Sequence, residues 1–382
     1  MTRAPAWPAL VTLAATAVFA GVFIRVEAQW EVIALTVGGV AVLFVIGHTS
    51  WAERVRQGWS SQPGLLGAIS FALALGLIAL FREDHFALLM VSTVLLYSVA
   101  CLGLTIQFGY AGVVNFAGAA FLGIGGYTVA KLGAVAGIPH LLGIVIAGIL
   151  SGLVGSLLVL PLLRTRGHYA ALITIAFGLL FRTFLEVNDL LGGPQGLKVP
   201  GIAILGWNFN DNIELGGLEL SFYVNYALLS LVLFSLALVL VSRIDRSWLG
   251  LSLDAVRLDE TAAAAFGFEV ARWKILAFTL GNVLAGVAGA AYAQMTGFVA
   301  PQSFTLAESL ILVSIVILGG LGNIAGVLPA AALVLVLPEK LQVIQEYRFL
   351  LFSLFVILVL LFRPQGLFPR RLREYVAGWG RS

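Results

Sequence analysis

A chain of 382 residues that is 60% hydrophobic and only 11% charged, with a mean hydropathy of +1.02, cannot keep its surface in water as a soluble domain, and reads as an integral membrane protein. The formal net charge is +3, and the basic residues gather at the ends of apolar runs and in the C-terminal tail, which fits membrane topology and not nucleic-acid binding. Cys101 is the only cysteine and lies inside an apolar run, so neither a disulfide framework nor a cysteine metal site is available.

Apolar runs of about 17 to 23 residues recur along the whole length, each long enough to cross a hydrocarbon core of roughly 30 Å as a helix. Strands of a membrane barrel would alternate, and these runs do not. Spans are predicted at residues 8–25, 31–47, 65–81, 86–108, 110–132, 141–162, 168–185, 222–242, 273–295, 306–319, 324–338 and 348–362. The fold class is therefore all-α, a polytopic bundle of about 10–12 transmembrane helices. The lower count applies if either glycine-rich break, Gly109 to Gly112 or Gly319 to Asn323, is re-entrant. Ala9 to Ile24 is read as a retained span, because Trp7 and Pro8 precede it and no clear small-residue cleavage site follows.

Residues 1–85 are less glycine-rich and are set apart by a polar loop, His48 to Gly64, so they form an accessory N-terminal portion. Residues 86–362 make the core and 363–382 a basic tail. With roughly twelve crossings, Arg3, the pair Arg164 and Arg166, the charged stretch after Arg243, and Arg370, Arg371 and Arg373 share one side. The positive-inside rule makes that side the cytoplasm, with both termini in it. The mainly acidic loop 186–220 then lies outside.

Gly109 opens the run GYAGVVNFAGAAFLGIGGYTVAKL, with further glycines at 112, 118, 123, 125 and 126. Such glycines either let helices touch closely or let a helix break and present backbone groups to a cavity. Asn115 is the polar exception at membrane depth, and its amide needs a partner in a neighbouring helix, water or a passing solute. Gly281, Ala285 and Gly289 form a small-residue ridge suited to packing. Glu308 lies at the head of an apolar run, where an ionisable residue suggests function. Thr305, three residues earlier, also gives it the pattern of a capping box, and the two roles are compatible. Together with the hydroxyls Thr174 and Ser314, the candidate translocation pathway is Gly112, Asn115, Gly123, Gly125, Thr174, Glu308 and Ser314.

The stretch Arg243 to Lys274 is the one long charged island of the C-terminal half, with a loop at 243–272. Leu251, Ala255, Leu258, Ala262 and Ala265 recur at helical steps, predicting an amphipathic helix over Leu253 to Phe266. Asp254 is expected in its first turn and Gly267 as its left-handed cap. The chain has no Gly-Lys pair and hence no phosphate-binding loop, and no metal cluster or intramembrane proton relay. A transporter without its own charge-coupling groups must borrow energy, and this helix is the place where a docked ATPase could push.

Several motifs, in this order, resemble those of permease subunits of bacterial branched-chain amino acid ABC importers, in particular the larger, LivM-like subunit. Tyr110-Ala111-Gly112 with Ala119 to Gly125 and Tyr127 resembles the glycine-rich signature. Leu163 to Gly167 with Ala176-Phe177-Gly178 and Arg182, then Gly192 to Leu197, resemble the next two. Ala255-Val256-Arg257 with Glu260, Ala262-Ala263 and Gly267 is similar to the loop that ABC permeases apply to their ATPases. Phe298 to Phe304 with Ala307-Glu308-Ser309, Leu318 to Gly322, and Arg363 to Leu367 complete the set. The family often has histidine where Gly118 stands, an acid where His168 stands and glutamate where Leu179 stands.

The resemblance implies an ABC importer permease of the inner membrane that carries leucine, isoleucine or valine. It implies a homologous permease partner, two cytoplasmic ATPase subunits and a periplasmic binding protein. The chain itself would be no enzyme and hold no cofactor, ATP being used by the partner subunits. Asp254, Arg257, Glu260, Ala262, Ala263 and Gly267 would form the ATPase-coupling loop. Urea, short amides or other amino acids are alternative substrates. An ion-coupled secondary transporter is the alternative of another class, and Glu308 is the only charge available to it.

Overall fold

A computed structural model describes residues 6–341, apart from 27, 134–137, 164, 166–167, 205 and 216–217, and beyond 341 a few positions that include 366–368 and 370. Eight helices among the described residues are long and apolar enough to cross a membrane. The predicted span 348–362 and the basic residues Arg3, Arg164, Arg166, Arg371 and Arg373 fall wholly or largely outside the described residues.

The N-terminal portion holds α1 (Trp7–Arg25), α2 (Gln29–His48), α3 (Ser50–Ser61) and α4 (Pro63–Leu80). The polar stretch expected to be a loop is instead the helix α3. Its charged residues and tryptophans fall on different faces, as in a helix lying along an interface, and Trp51 meets Trp7 edge-on at 5.4 Å. Lys340, at the end of α14 (Ile324–Lys340), donates to the backbone oxygens of Ile24 and Val26. It thereby satisfies carbonyls that the C-terminus of α1 leaves open.

The core is built around α12 (Val270–Thr296), which packs against α5 (His85–Leu104), α6 (Gly118–Gly133) and α7 (His140–Leu163). Its buried face is mostly small, with Gly281, Ala285, Gly286, Ala288 and Gly289. Without a hydrophobic drive between helices in lipid, close backbone approach is what holds such a bundle. The same division runs along α7. Gly148, Gly152 and Gly155 face α12, while Val145, Ile149, Leu153, Leu157 and Leu160 point outward.

The break predicted near Gly109 is real and long. After α5 the chain forms a single π-helical turn, Thr105–Tyr110, and then runs without helix through residues 111–117 before α6 starts at Gly118. The expected span 110–132 is thus corrected to a 16-residue helix preceded by non-helical backbone. Non-helical backbone at this depth is tolerated only where protein satisfies it. Val113 N–H bonds Gln107 O at 2.9 Å, and Phe116 N–H bonds Thr174 Oγ1 at 3.1 Å.

The remaining helices are α8 (His168–Val187), α9 (Tyr223–Asp245), α10 (Trp248–Leu258), α11 (Glu260–Ala265) and α13 (Leu306–Gly319). Loop 186–220 carries two short 3-10 turns and small antiparallel ladders, one of which pairs Leu197–Lys198 with Phe298–Val299. The turn between α13 and α14 uses Gly320 and Gly322 at φ +101° and +80°.

Candidate functional site

Two sites are linked by the broken helix. At one end of the bundle, the charged island forms two helices rather than the single helix expected over Leu253 to Phe266. Asp259 breaks it: its extended backbone (φ −157°) ends α10, and its carboxylate accepts from Thr261 and Ala262 N–H to start α11. Asp254 is accordingly not in a first turn; it lies well inside α10 and is buried. Gly267 does take the left-handed conformation expected of it, at φ +87°.

The charges sort into inward and outward groups. Asp254 accepts both guanidinium nitrogens of Arg370 at 2.6 and 2.8 Å, and Arg370 also bonds Asp245 at 3.0 Å and stands 4.3 Å from the centre of the Tyr110 ring. Burial alone would pull the Arg370 guanidinium down. The hydrogen bonds and charge of Asp254, with Tyr110 and Asp245, outweigh it and hold the group above its ordinary value. Arg257 leans toward Asp254, 3.9 Å away, and its side chain lies against Gly112, which sits at φ +66°. Glu260 pairs not with Arg257 but with Lys274 at 2.6 Å. Outward remain Glu260, Ala262 and Gly267, beside Leu258, 65% exposed, and Phe266, 84% exposed. Ala263 is buried and seats α11 on the body.

The second site lies in the core. Asn115 Nδ2 donates to Gln107 Oε1 at 2.8 Å and to Asn282 Oδ1 at 3.2 Å, while its own oxygen accepts Ala117 N–H at 2.9 Å. Gln107 Nε2 donates to Asn282 Oδ1 and to Phe278 O, both at 3.0 Å. All three amides are buried. Thr174 holds the non-helical segment through Phe116, and Ser309 accepts Ala119 N–H at 3.1 Å. The alternatives for Asn115 are thus met by neighbouring helices: the amides tie the returning chain to α12.

The other candidates separate. Gly125 is in backbone contact with Gly286, where an added Cβ would clash with its carbonyl oxygen. Gly123 faces the rings of Phe181 and Phe304. Glu308 is half-buried in the first turn of α13, its N–H capped by Thr305 Oγ1 at 3.3 Å, and its carboxylate accepts from the Tyr97 hydroxyl at 3.4 Å. Ser314 is half-buried farther along α13. Gln107, Asn282 and Ser309 carry the same signal as Asn115, polar side chains within apolar runs. Arg370 was visible only as part of a basic tail.

A helical bundle with eight helices long and apolar enough to cross a membrane among the described residues, a broken helix and an internal polar cluster is of the polytopic membrane-protein class. Residues 86–362 match the family model for the permease component of branched-chain amino acid transport systems. The chain is 34% identical over 316 residues to the high-affinity branched-chain amino acid transport system permease protein LivM of Salmonella typhimurium, covering 78% of this chain and 74% of that one. It is 35% identical over 289 residues to LivM of Escherichia coli, covering 72% and 68%. A probable LivM of Methanocaldococcus jannaschii is 24% identical over 332 residues, covering 72% and 91%. No solved structure matches. The chain belongs to the branched-chain amino acid permease family, and is a multi-pass permease subunit of a transporter.

Proposed function

We propose that this chain forms half of the channel of an ATP-driven importer that moves leucine, isoleucine or valine across the inner membrane, beside a homologous permease subunit. The relatives' names support the substrate class. The observation that carries the energetics is the outward face of α10 and α11. Leu258 and Phe266 stand exposed beside Glu260 and Gly267 on a part that would otherwise meet water. Exposed apolar side chains rimmed by charge, on a helix pair seated on a rigid bundle, are what a docking partner would cover. Two cytoplasmic ATPases occupy this face, with both termini on the same side, and a periplasmic binding protein delivers the solute to the opposite end, where loop 186–220 lies. No bound cofactor is required of this chain.

Closure of the ATPase pair pushes α10 and α11, and the motion passes to α9 and α12, which flank them in sequence, rocking the bundle between outward and inward states. A zwitterion with an aliphatic side chain needs little fixed charge to pass. Glu308 and Ser314 are the candidates left to meet it, while Gly112 lies against Arg257 and Asn115, Thr174, Gly123 and Gly125 are engaged in packing or hydrogen bonds between segments. Purification from native membranes followed by identification of bound subunits tests the assembly: ATPase and permease partners should come with this chain. Their consistent absence, or solute uptake driven by an ion gradient without nucleotide, overturns it.

A further inference from the structure

The contacts of Arg370 join four parts of the molecule that are far apart in sequence. Its guanidinium holds both oxygens of Asp254 on α10 and one of Asp245 at the end of α9. The same group stands over the Tyr110 ring and reaches Gly109 O at 3.4 Å, where the π-helical turn ends. Its stem lies against Gly322 in the α13–α14 turn, and Gly322 in turn touches Gly109. The tail is pinned there independently of the arginine: Leu367 N–H bonds Leu318 O at 2.8 Å, and Asn323 Nδ2 bonds Phe368 O at 2.8 Å. Arg370 therefore does not trail from the bundle but is inserted as a wedge with a fixed root.

Beyond Tyr110 the chain runs through Gly112, which lies against Arg257, to Asn115 and its amide cluster. A displacement of α10 thus reaches the broken helix through two adjacent side chains one turn apart, Arg257 on Gly112 and Asp254 through Arg370. We propose that Arg370 is a positioning residue that couples the ATPase-facing loop to the broken helix, so that movement of α10 shifts the 109–117 segment instead of being lost in the loop. A planar, always charged fork suits the task, since it grips a carboxylate at two points and an aromatic face at once. The proposal rests on the reading of α10 and α11 as the ATPase contact.

The test uses the complete importer in proteoliposomes, measuring leucine uptake and ATP hydrolysis on the same preparation. Wild-type coupled uptake establishes the underlying reading; if the wild-type complex shows none, that reading fails and not this one alone. Against a coupled wild type, Arg370→Ala should keep ATP hydrolysis within about twofold while uptake per ATP falls roughly tenfold. Arg370→Lys, which keeps the charge and loses the two-point grip, should fall between. A merely structural role would lower hydrolysis and uptake together and leave their ratio unchanged, which overturns the proposal. Should the alanine variant fail to assemble, the lysine variant and Asp254→Asn are read on the same ratio, and an unchanged ratio in both refutes it.

Discussion

Replacing Asn115 with alanine separates a residue that holds helices from one that touches solute. The substitution removes the bonds to Gln107, to Asn282 and from Ala117 N–H. Asn282 Oδ1 keeps Gln107 Nε2 as a donor, but Gln107 Oε1 and the Ala117 amide lose these partners inside the protein. Interhelical side-chain bonds in membrane proteins average ~0.6 kcal/mol, so losing the set costs about 2 kcal/mol. If the stranded groups stay dry, the two add ~1–3 kcal/mol each and the total reaches about 4–8 kcal/mol. Unfolding in mixed detergent micelles, followed by tryptophan fluorescence, should show this loss, and apparent KM for leucine in the surviving folded fraction should stay within twofold. Wild-type stability with a many-fold change in KM would refute the reasoning and return Asn115 to the pathway.

Gly125→Leu should destabilise by more than the ~1–3 kcal/mol typical of overpacking, because the clash is with the Gly286 backbone and no side chain can yield; a large drop in melting temperature in detergent checks it. Gly267→Ala should cost only about 1–2 kcal/mol, since the site is spacious and only the positive φ is strained, and hydrogen exchange should speed up locally in α11 while the melt of the bundle is preserved. Lys340→Met removes a charged donor from two carbonyls at the end of α1, worth roughly 1–3 kcal/mol, and limited proteolysis should then cut after Val26 faster while the core resists as before.

What the sequence discloses here follows from how local each signal is. Hydrophobic runs locate the helices because burial in lipid is a property of single segments, and Thr305 with Glu308 marks a helix start because capping is settled within one turn. The break after Gly109 shows as glycine content, but its form, a π-helical turn and a non-helical return, depends on Thr174 and Asn282 from elsewhere. The coupling helix is shorter than its periodicity predicts because the alanine-rich pattern continues through Asp259, whose capping preference outweighs it. Helix α3 differs from the loop its polarity predicts because its few apolar residues keep helical spacing. Asp254 belongs to the expected coupling loop, and its partner Arg370 lies 116 residues away, a pairing no local pattern encodes.

The most direct test of the account is leucine uptake into proteoliposomes holding this chain with its permease, ATPase and binding-protein partners. The account predicts uptake that requires ATP inside the cytoplasmic compartment, ceases with a non-hydrolysable analogue, and survives collapse of the proton and sodium gradients. Uptake that persists without nucleotide and stops when those gradients are collapsed would contradict it.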